Sequence, residues 1–113
     1  MLIVDDHAGF RGAARALLEA DGFVVVGEAA DGRQALFEVE RLVPDVVLLD
    51  IQIPGLDGFA VAERLAQRVP APAVVLVSSR DAVTYGKRVG RASVAGFLPK
   101  RELSGASLAG LLG

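Results

Sequence analysis

Apolar residues along this chain fall into two alternating patterns. Short unbroken runs, Leu2-Ile3-Val4, Val46-Val47-Leu48-Leu49 and Val74-Val75-Leu76-Val77, are separated by stretches where apolar residues return every three or four positions. Unbroken runs of this length read as strands buried on both faces, and the wider spacing reads as helices with one apolar side. The pattern predicts a first strand over Leu2–Asp5, then a helix burying Phe10, Ala14, Leu17 and Leu18 and ending near Asp21-Gly22. A valine-rich second strand covers Phe23–Gly27, and a helix after Asp31-Gly32 carries Ala35, Val39 and Leu42. Pro44-Asp45 stops that helix, and the third strand is Val46–Asp50. A third helix buries Ala62, Leu65, Ala66 and Val69 before Pro70 and Pro72 break it. Strands over Ala73–Val77 and Val94–Leu98 follow, with a helix over Asp81–Ala92 between them that Gly86 and Gly90 weaken by about 1 kcal/mol each. Ser104 caps a last short helix carrying Leu108, Leu111 and Leu112. Strands alternating with helices predict a three-layer α/β sandwich, five parallel strands with five helices.

Composition narrows the options. The 113 residues suit one domain spanning 1–113, with no output module among them. A net charge of -2 offers no broad surface for nucleic acid, so no direct nucleic-acid binding is expected. No apolar run approaches the ~20 residues that span a bilayer, and Asp5 and Asp6 interrupt any signal-peptide pattern. The absence of cysteine is compatible with a cytoplasmic protein.

The chemistry lies where strands end. Asp5 and Asp6 close the first run, Asp50 the third, Ser78 the fourth, and Lys100 follows Phe97-Leu98-Pro99. Open parallel sheets gather ligands just beyond their strands' carboxyl ends. Three carboxylates converging there repel one another: two like charges ~4 Å apart cost about 1 kcal/mol in water and roughly 4 at an effective dielectric of 20. A cation is the natural counterweight. Carboxylates hold a hard cation such as Mg²⁺ through oxygen, a carboxylate can accept a phosphoryl group, and a hydroxyl and an ammonium can hydrogen-bond phosphoryl oxygens.

These residues, with the loop Pro54-Gly55-Leu56-Asp57-Gly58, resemble the receiver domain of two-component response regulators along essentially the whole chain. The resemblance implies a sheet of order 2-1-3-4-5 in a flavodoxin-like fold. It implies Asp50 as the phosphorylated residue, taking its phosphoryl group from a sensor histidine kinase or a small phosphodonor. Asp6, Asp50 and the backbone carbonyl of Gln52 would hold Mg²⁺ (or Mn²⁺), with Asp5 assisting. Lys100 would pair with a phosphoryl oxygen. Ser78 would swing toward the phosphoryl group, Phe97 would fill the vacated space, and the face made by the fourth helix, fifth strand and fifth helix would report the change. Similarity is greatest to receivers joined to helix-turn-helix transcription regulators, so a DNA-binding domain after Gly113 and a homodimer through the last helices are further expectations. Departures exist: Phe97 replaces a frequent tyrosine, and Pro99 precedes Lys100 where many members have proline after the lysine.

Other residues have plainer readings. Asp31 and Asp57 read as helix caps, His7 as the start of the first helix, Ser79 as a small filler, and Lys87, Arg88 and Arg91 as a solvated face. Competing functions are a degenerate receiver used for docking, a flavin-binding domain, and an aspartate-nucleophile phosphohydrolase resembling the haloacid dehalogenases. That last class has a second aspartate two residues after the nucleophile, and here Gln52 stands there.

Overall fold

The three unbroken apolar runs become the middle of a sheet. A computed structural model describes residues 1–113, the side chain of Ala82 excepted. In chain order the elements are β1 (Leu2–Val4), α1 (Ala8–Ala20), β2 (Gly27–Ala29), α2 (Gly32–Leu42), β3 (Val46–Asp50), α3 (Gly58–Ala66), β4 (Ala73–Ser78), α4 (Ala82–Tyr85), α5 (Lys87–Arg91), β5 (Gly96–Pro99), a 3₁₀ turn (Lys100–Glu102) and α6 (Gly105–Leu112). All pairings are parallel, and the strand order is β2-β1-β3-β4-β5.

Alternate residues of each central strand point to opposite faces. Leu2, Val4, Val47, Leu49, Val74 and Leu76 pack against Ala35 and Val39 of α2 and Val61, Ala62 and Leu65 of α3. Ile3, Leu48, Val75 and Val77 pack with Ala14 and Leu18 of α1 and Leu108 of α6. Both faces are covered, which is why these strands carry no polar alternation. No helix among the described residues is long and apolar enough to cross a membrane.

Five expectations need correction. The second strand is not Phe23–Gly27: the ladder to β1 runs over Gly27–Ala29, and Val24 and Val26 are exposed. The Val24–Val26 stretch instead runs beside Met1, whose amino group donates to the Val24 carbonyl at 2.8 Å. The third helix ends at Ala66, so Val69 lies past it and is 97% exposed, and Leu17 of α1 is also exposed. The single helix expected over 81–92 is two pieces, α4 and α5, parted at Gly86. Gly86 has φ 58° and ψ −133°, a conformation that disfavours any side chain and breaks the helical hydrogen-bond pattern. The last strand begins at Gly96 rather than Val94.

Candidate functional site

Parallel register lines the strand ends up. Val4 pairs with Leu49 across β1 and β3, so the residues that follow, Asp5 and Asp50, emerge side by side. Asp50 pairs with Val77 across β3 and β4, and Ser78 pairs with Pro99 across β4 and β5. Ser78 and Lys100 therefore leave the sheet at the same edge as the acids.

Two of these carboxylates are buried, Asp5 at 0% and Asp50 at 3% exposure. Lys100 Nζ bridges them, 2.6 Å from Asp5 Oδ2 and 3.4 Å from Asp50 Oδ2, with its ammonium 4.3 Å from the centre of the Phe10 ring. The contact to Asp5 Oδ2 is charge to charge and poorly aligned for a hydrogen bond, leaving that oxygen with no hydrogen-bond partner among the described residues. Asp5 Oδ1 accepts from the His7 amide at 2.8 Å, and Asp50 Oδ1 accepts from the Gln52 amide at 3.2 Å. Asp6 is more open. Its carboxylate lies 3.1 Å from His7 Nδ1, and that nitrogen is 3.2 Å from Asp5 Oδ1.

α3 begins directly beneath Asp50. Asp57 caps it by accepting from the Ala60 amide at 2.9 Å, and the Gly58 amide donates to the Ile51 carbonyl at 2.8 Å. A Cβ on Gly58 would stand 2.6 Å from the Asp50 carbonyl oxygen, so only glycine allows this approach.

The charges set the acidities. Burial pushes the Asp50 carboxyl up to about 6, the Lys100 ammonium holding it down and the Asp5 carboxylate adding to the rise. Burial acts in the same direction on Asp5, but Lys100 and the His7 amide outweigh it and hold Asp5 below the usual carboxylate value. Burial would depress Lys100, yet the two carboxylates hold its pKa above the ordinary lysine value. One carboxylate is thus kept firmly ionised while its neighbour is poised near neutrality.

Three acids against one ammonium leave net negative charge at this edge. The donor set fits a hard divalent cation: the buried Asp5 Oδ2 has no hydrogen-bond partner among the described residues, and Asp5, Asp6 and His7 offer ligand atoms within 4.8 Å of one another.

Asp5, Asp50 and Lys100 are in direct contact, and Asp6 joins them through His7. Ser78 is fully buried, but among the described residues its hydroxyl meets the Arg80 amide at 3.1 Å and Tyr85 Oη at 2.6 Å, not Asp50 or Lys100. Phe97 lies edge-on to the Tyr85 ring, centroids 6.3 Å apart, and the Gln52 side chain is exposed.

Three contributors escape a reading of the sequence. Arg11 donates to the Asp5 carbonyl at 2.7 Å while its Nε pairs with Glu28 at 3.0 Å, fixing the loop before α1. Phe10, whose helical spacing marks it only as a core residue, lies beneath the Lys100 ammonium. Tyr85 carries no signal beyond being a lone tyrosine.

With the geometry in place, comparison with known proteins is direct. A family model described as the response regulator receiver domain matches residues 1–108. The DNA-binding transcriptional activator EvgA of Escherichia coli K12 is 36% identical over 101 residues, covering 89% of this chain and 50% of EvgA. A protein-glutamate methylesterase/protein-glutamine glutaminase of Anaeromyxobacter dehalogenans is 52% identical over 79 residues, 69% of this chain and 23% of that protein. The chain thus spans about half the length of EvgA and a smaller part of the methylesterase. Among solved structures, the signal receiver domain of Mycobacterium tuberculosis NarL superposes with a TM-score of 0.87 at 34% identity, covering 99% of this chain and 94% of that one. Family match and backbone superposition each extend over nearly the whole chain, and the chain belongs to the receiver domain family of two-component response regulators.

Proposed function

We propose that this chain is a phosphorylation-dependent switch whose acceptor is Asp50. The observation that carries this reading is the burial of Asp50 and Asp5 around a single ammonium, Lys100, at the carboxyl edge of the sheet. Such an arrangement costs folding free energy and gains a purpose only when a phosphoryl group and a cation arrive. The donor is a sensor histidine kinase. An Asp50 carboxylate oxygen attacks phosphorus, the phosphorus–nitrogen bond of the phosphohistidine breaks, and its electron pair leaves with the imidazole. The product on Asp50 is an acyl phosphate, which water later hydrolyses to restore the carboxylate.

Asp5, Asp6, Asp50 and the Gln52 carbonyl would hold Mg²⁺ or Mn²⁺, which when bound offsets the charge of acids and phosphoryl oxygens. Lys100 gives up its contact with Asp50 and pairs with a phosphoryl oxygen, and Ser78 donates to another. Phe97 and the face built by α4, α5, β5 and α6 register the change. Turnover is limited to loss of the chain's own phosphoryl group, so the protein is not an enzyme acting on a further substrate. The similarity to EvgA supports a cytoplasmic regulator of transcription, with a DNA-binding output domain outside this chain.

The test is intact mass after incubation with acetyl phosphate and Mg²⁺. The expected result is one added phosphoryl group that is absent in Asp50→Asn. No gain, or a gain that survives in Asp50→Asn, overturns the assignment. Asp6→Ala should abolish Mg²⁺ binding followed by calorimetry, and unchanged affinity removes Asp6 from the ligand set.

A further inference from the structure

The receiver reading asks Ser78 to turn toward a phosphoryl group on Asp50, but its hydroxyl is already engaged elsewhere. Ser78 Oγ and Tyr85 Oη are 2.6 Å apart, and Oγ also accepts from the Arg80 amide at 3.1 Å. The phenol comes from α4, not from the sheet. Its ring is held edge-on between Phe59 of α3, centroids 5.7 Å apart, and Phe97 of β5, at 6.3 Å. Phe97 has no hydroxyl, so the polar partner of the serine has to come from another element, and Tyr85 supplies it.

We infer that Tyr85 is a positioning residue: its hydroxyl latches Ser78 away from Asp50 in the resting chain, and phosphoryl uptake releases the latch together with α4. This inference rests on the phosphoacceptor reading given above. A change of Ser78 to another staggered rotamer carries Oγ out of reach of a phenol anchored by two aromatic neighbours. The bond then has to break, and what it restrained is a short element held otherwise by the Tyr85 ring contacts and the exposed Asp81–Arg101 ion pair. α4 is 4 residues long, its Asp81 side chain accepts from Arg101 instead of capping the helix, and Gly86 with φ 58° ends it. Ser78 is buried and Tyr85 half-buried, so their hydrogen bond is partly shielded from water and can bias a short helix that has no side-chain cap. The Ser78–Tyr85 bond thereby links the acceptor's chemistry to the position of α4.

The chain has 1 tyrosine and no tryptophan, so its intrinsic emission comes almost entirely from Tyr85 and reads the latch directly. Tyr85→Phe, Ser78→Ala and the double variant are compared for initial phosphoryl uptake from acetyl phosphate with Mg²⁺. Loss of this one hydrogen bond is expected to raise the Tyr85→Phe rate about fivefold. Adding Tyr85→Phe to Ser78→Ala is expected to change the rate less than about twofold, because the partner is already gone. In the wild type, Tyr85 emission is expected to change in step with the mass gain, and in Asp50→Asn to stay constant.

An unaltered Tyr85→Phe rate, an equal rate gain in both backgrounds, or emission that ignores a measured phosphoryl group each overturns the latch while leaving the acceptor intact. A wild type that takes no phosphoryl group overturns the acceptor reading instead. The latch is then judged by urea unfolding of the same four proteins, where coupling of Ser78 and Tyr85 of about fivefold in the unfolding constant upholds the bond and its absence sinks it.

Discussion

The helical cover made by α1, α2 and α3 and that made by α4 and α5 are built to different standards. Helices α1, α2 and α3 have 13, 11 and 9 residues, and α2 and α3 are capped by Asp31 and Asp57. Next to α3, helices α4 and α5 have 4 and 5 residues with no side-chain cap, and no residue of α5 is buried. Yet the central strands are equally dry, with Val47 and Leu48 of β3 and Val75 and Leu76 of β4 all at 0% exposure. The contrast therefore concerns the covering layer, not the sheet. Asp50, the proposed acceptor, sits where backbone positions are fixed by a capped helix, while the elements that would carry its signal have few contacts to lose. Local opening is least costly where buried apolar contacts are few, so a site that must stay precise and a surface that must move are separated by one strand.

The largest test of that contrast is cavity formation. Leu48→Ala should destabilise the chain by about 2–5 kcal/mol in urea unfolding, whereas Val89→Ala, at the one half-buried position of the exposed α5, should cost less than about 1 kcal/mol. Equal costs would mean that α5 is as tightly packed as the core, and the contrast would collapse.

The next effect is electrostatic. The Asp50 pKa is raised to about 6, so its ionised form is disfavoured in the folded chain. Its neutral form stabilises the fold below the ordinary carboxylate value, and that advantage is lost as pH rises through about 6. A carboxyl raised from 3.8 to about 6 carries roughly 3 kcal/mol of pH-dependent stability. Asp50→Asn also removes one of the carboxylates that keep Lys100 charged, which reduces the gain. The variant is expected to be about 1–3 kcal/mol more stable than the wild type at pH 7.5, with the gap closing by pH 4 and narrowing in Mg²⁺. A gap independent of pH would show that ionisation of Asp50 is not what strains the edge.

How far the sequence revealed these two standards depends on how local each signal was. The third strand was legible to its end residues because an uninterrupted valine and leucine run has only one way to lie in a covered sheet. From strand ends alone, parallel register brings Asp5, Asp50, Ser78 and Lys100 to one edge. Asp57 and Ser104 as caps were equally local, each reaching an amide three residues on. Edge strand β2 was misplaced because valine marks β propensity, and propensity does not say which residues reach the neighbour: Val24 and Val26 face solvent while Glu28 pairs with Arg11 and Arg15 of α1. The weakness of the fourth helix was visible in its glycines, but its break required the positive φ of Gly86. Tyr85 was illegible, because its bond to Ser78 depends on where Phe59 and Phe97 leave room for the ring, and that is a tertiary fact.

The smallest expected effect concerns a tether between the two covers. Arg88 of α5 donates to Asp57 Oδ2 at 3.1 Å, and its guanidinium lies 4.2 Å from the centre of the Phe59 ring, both on α3 or its cap. Both partners of the ion pair are largely exposed, with side chains 59% and 46% accessible, so salt and solvent limit its worth. Arg88→Ala should lower global stability by only about 0.5–1 kcal/mol. Its visible consequence should be local, with faster hydrogen exchange at the amides of α5 and unchanged exchange in β3. Arg88→Lys keeps the charge but loses the planar group over the ring, so its exchange should fall between the two. If Arg88→Ala speeds exchange in β3 as much as in α5, the loose cover is not an independent unit. A signal from Asp50 would then have to travel by unfolding the sheet rather than by releasing its cover.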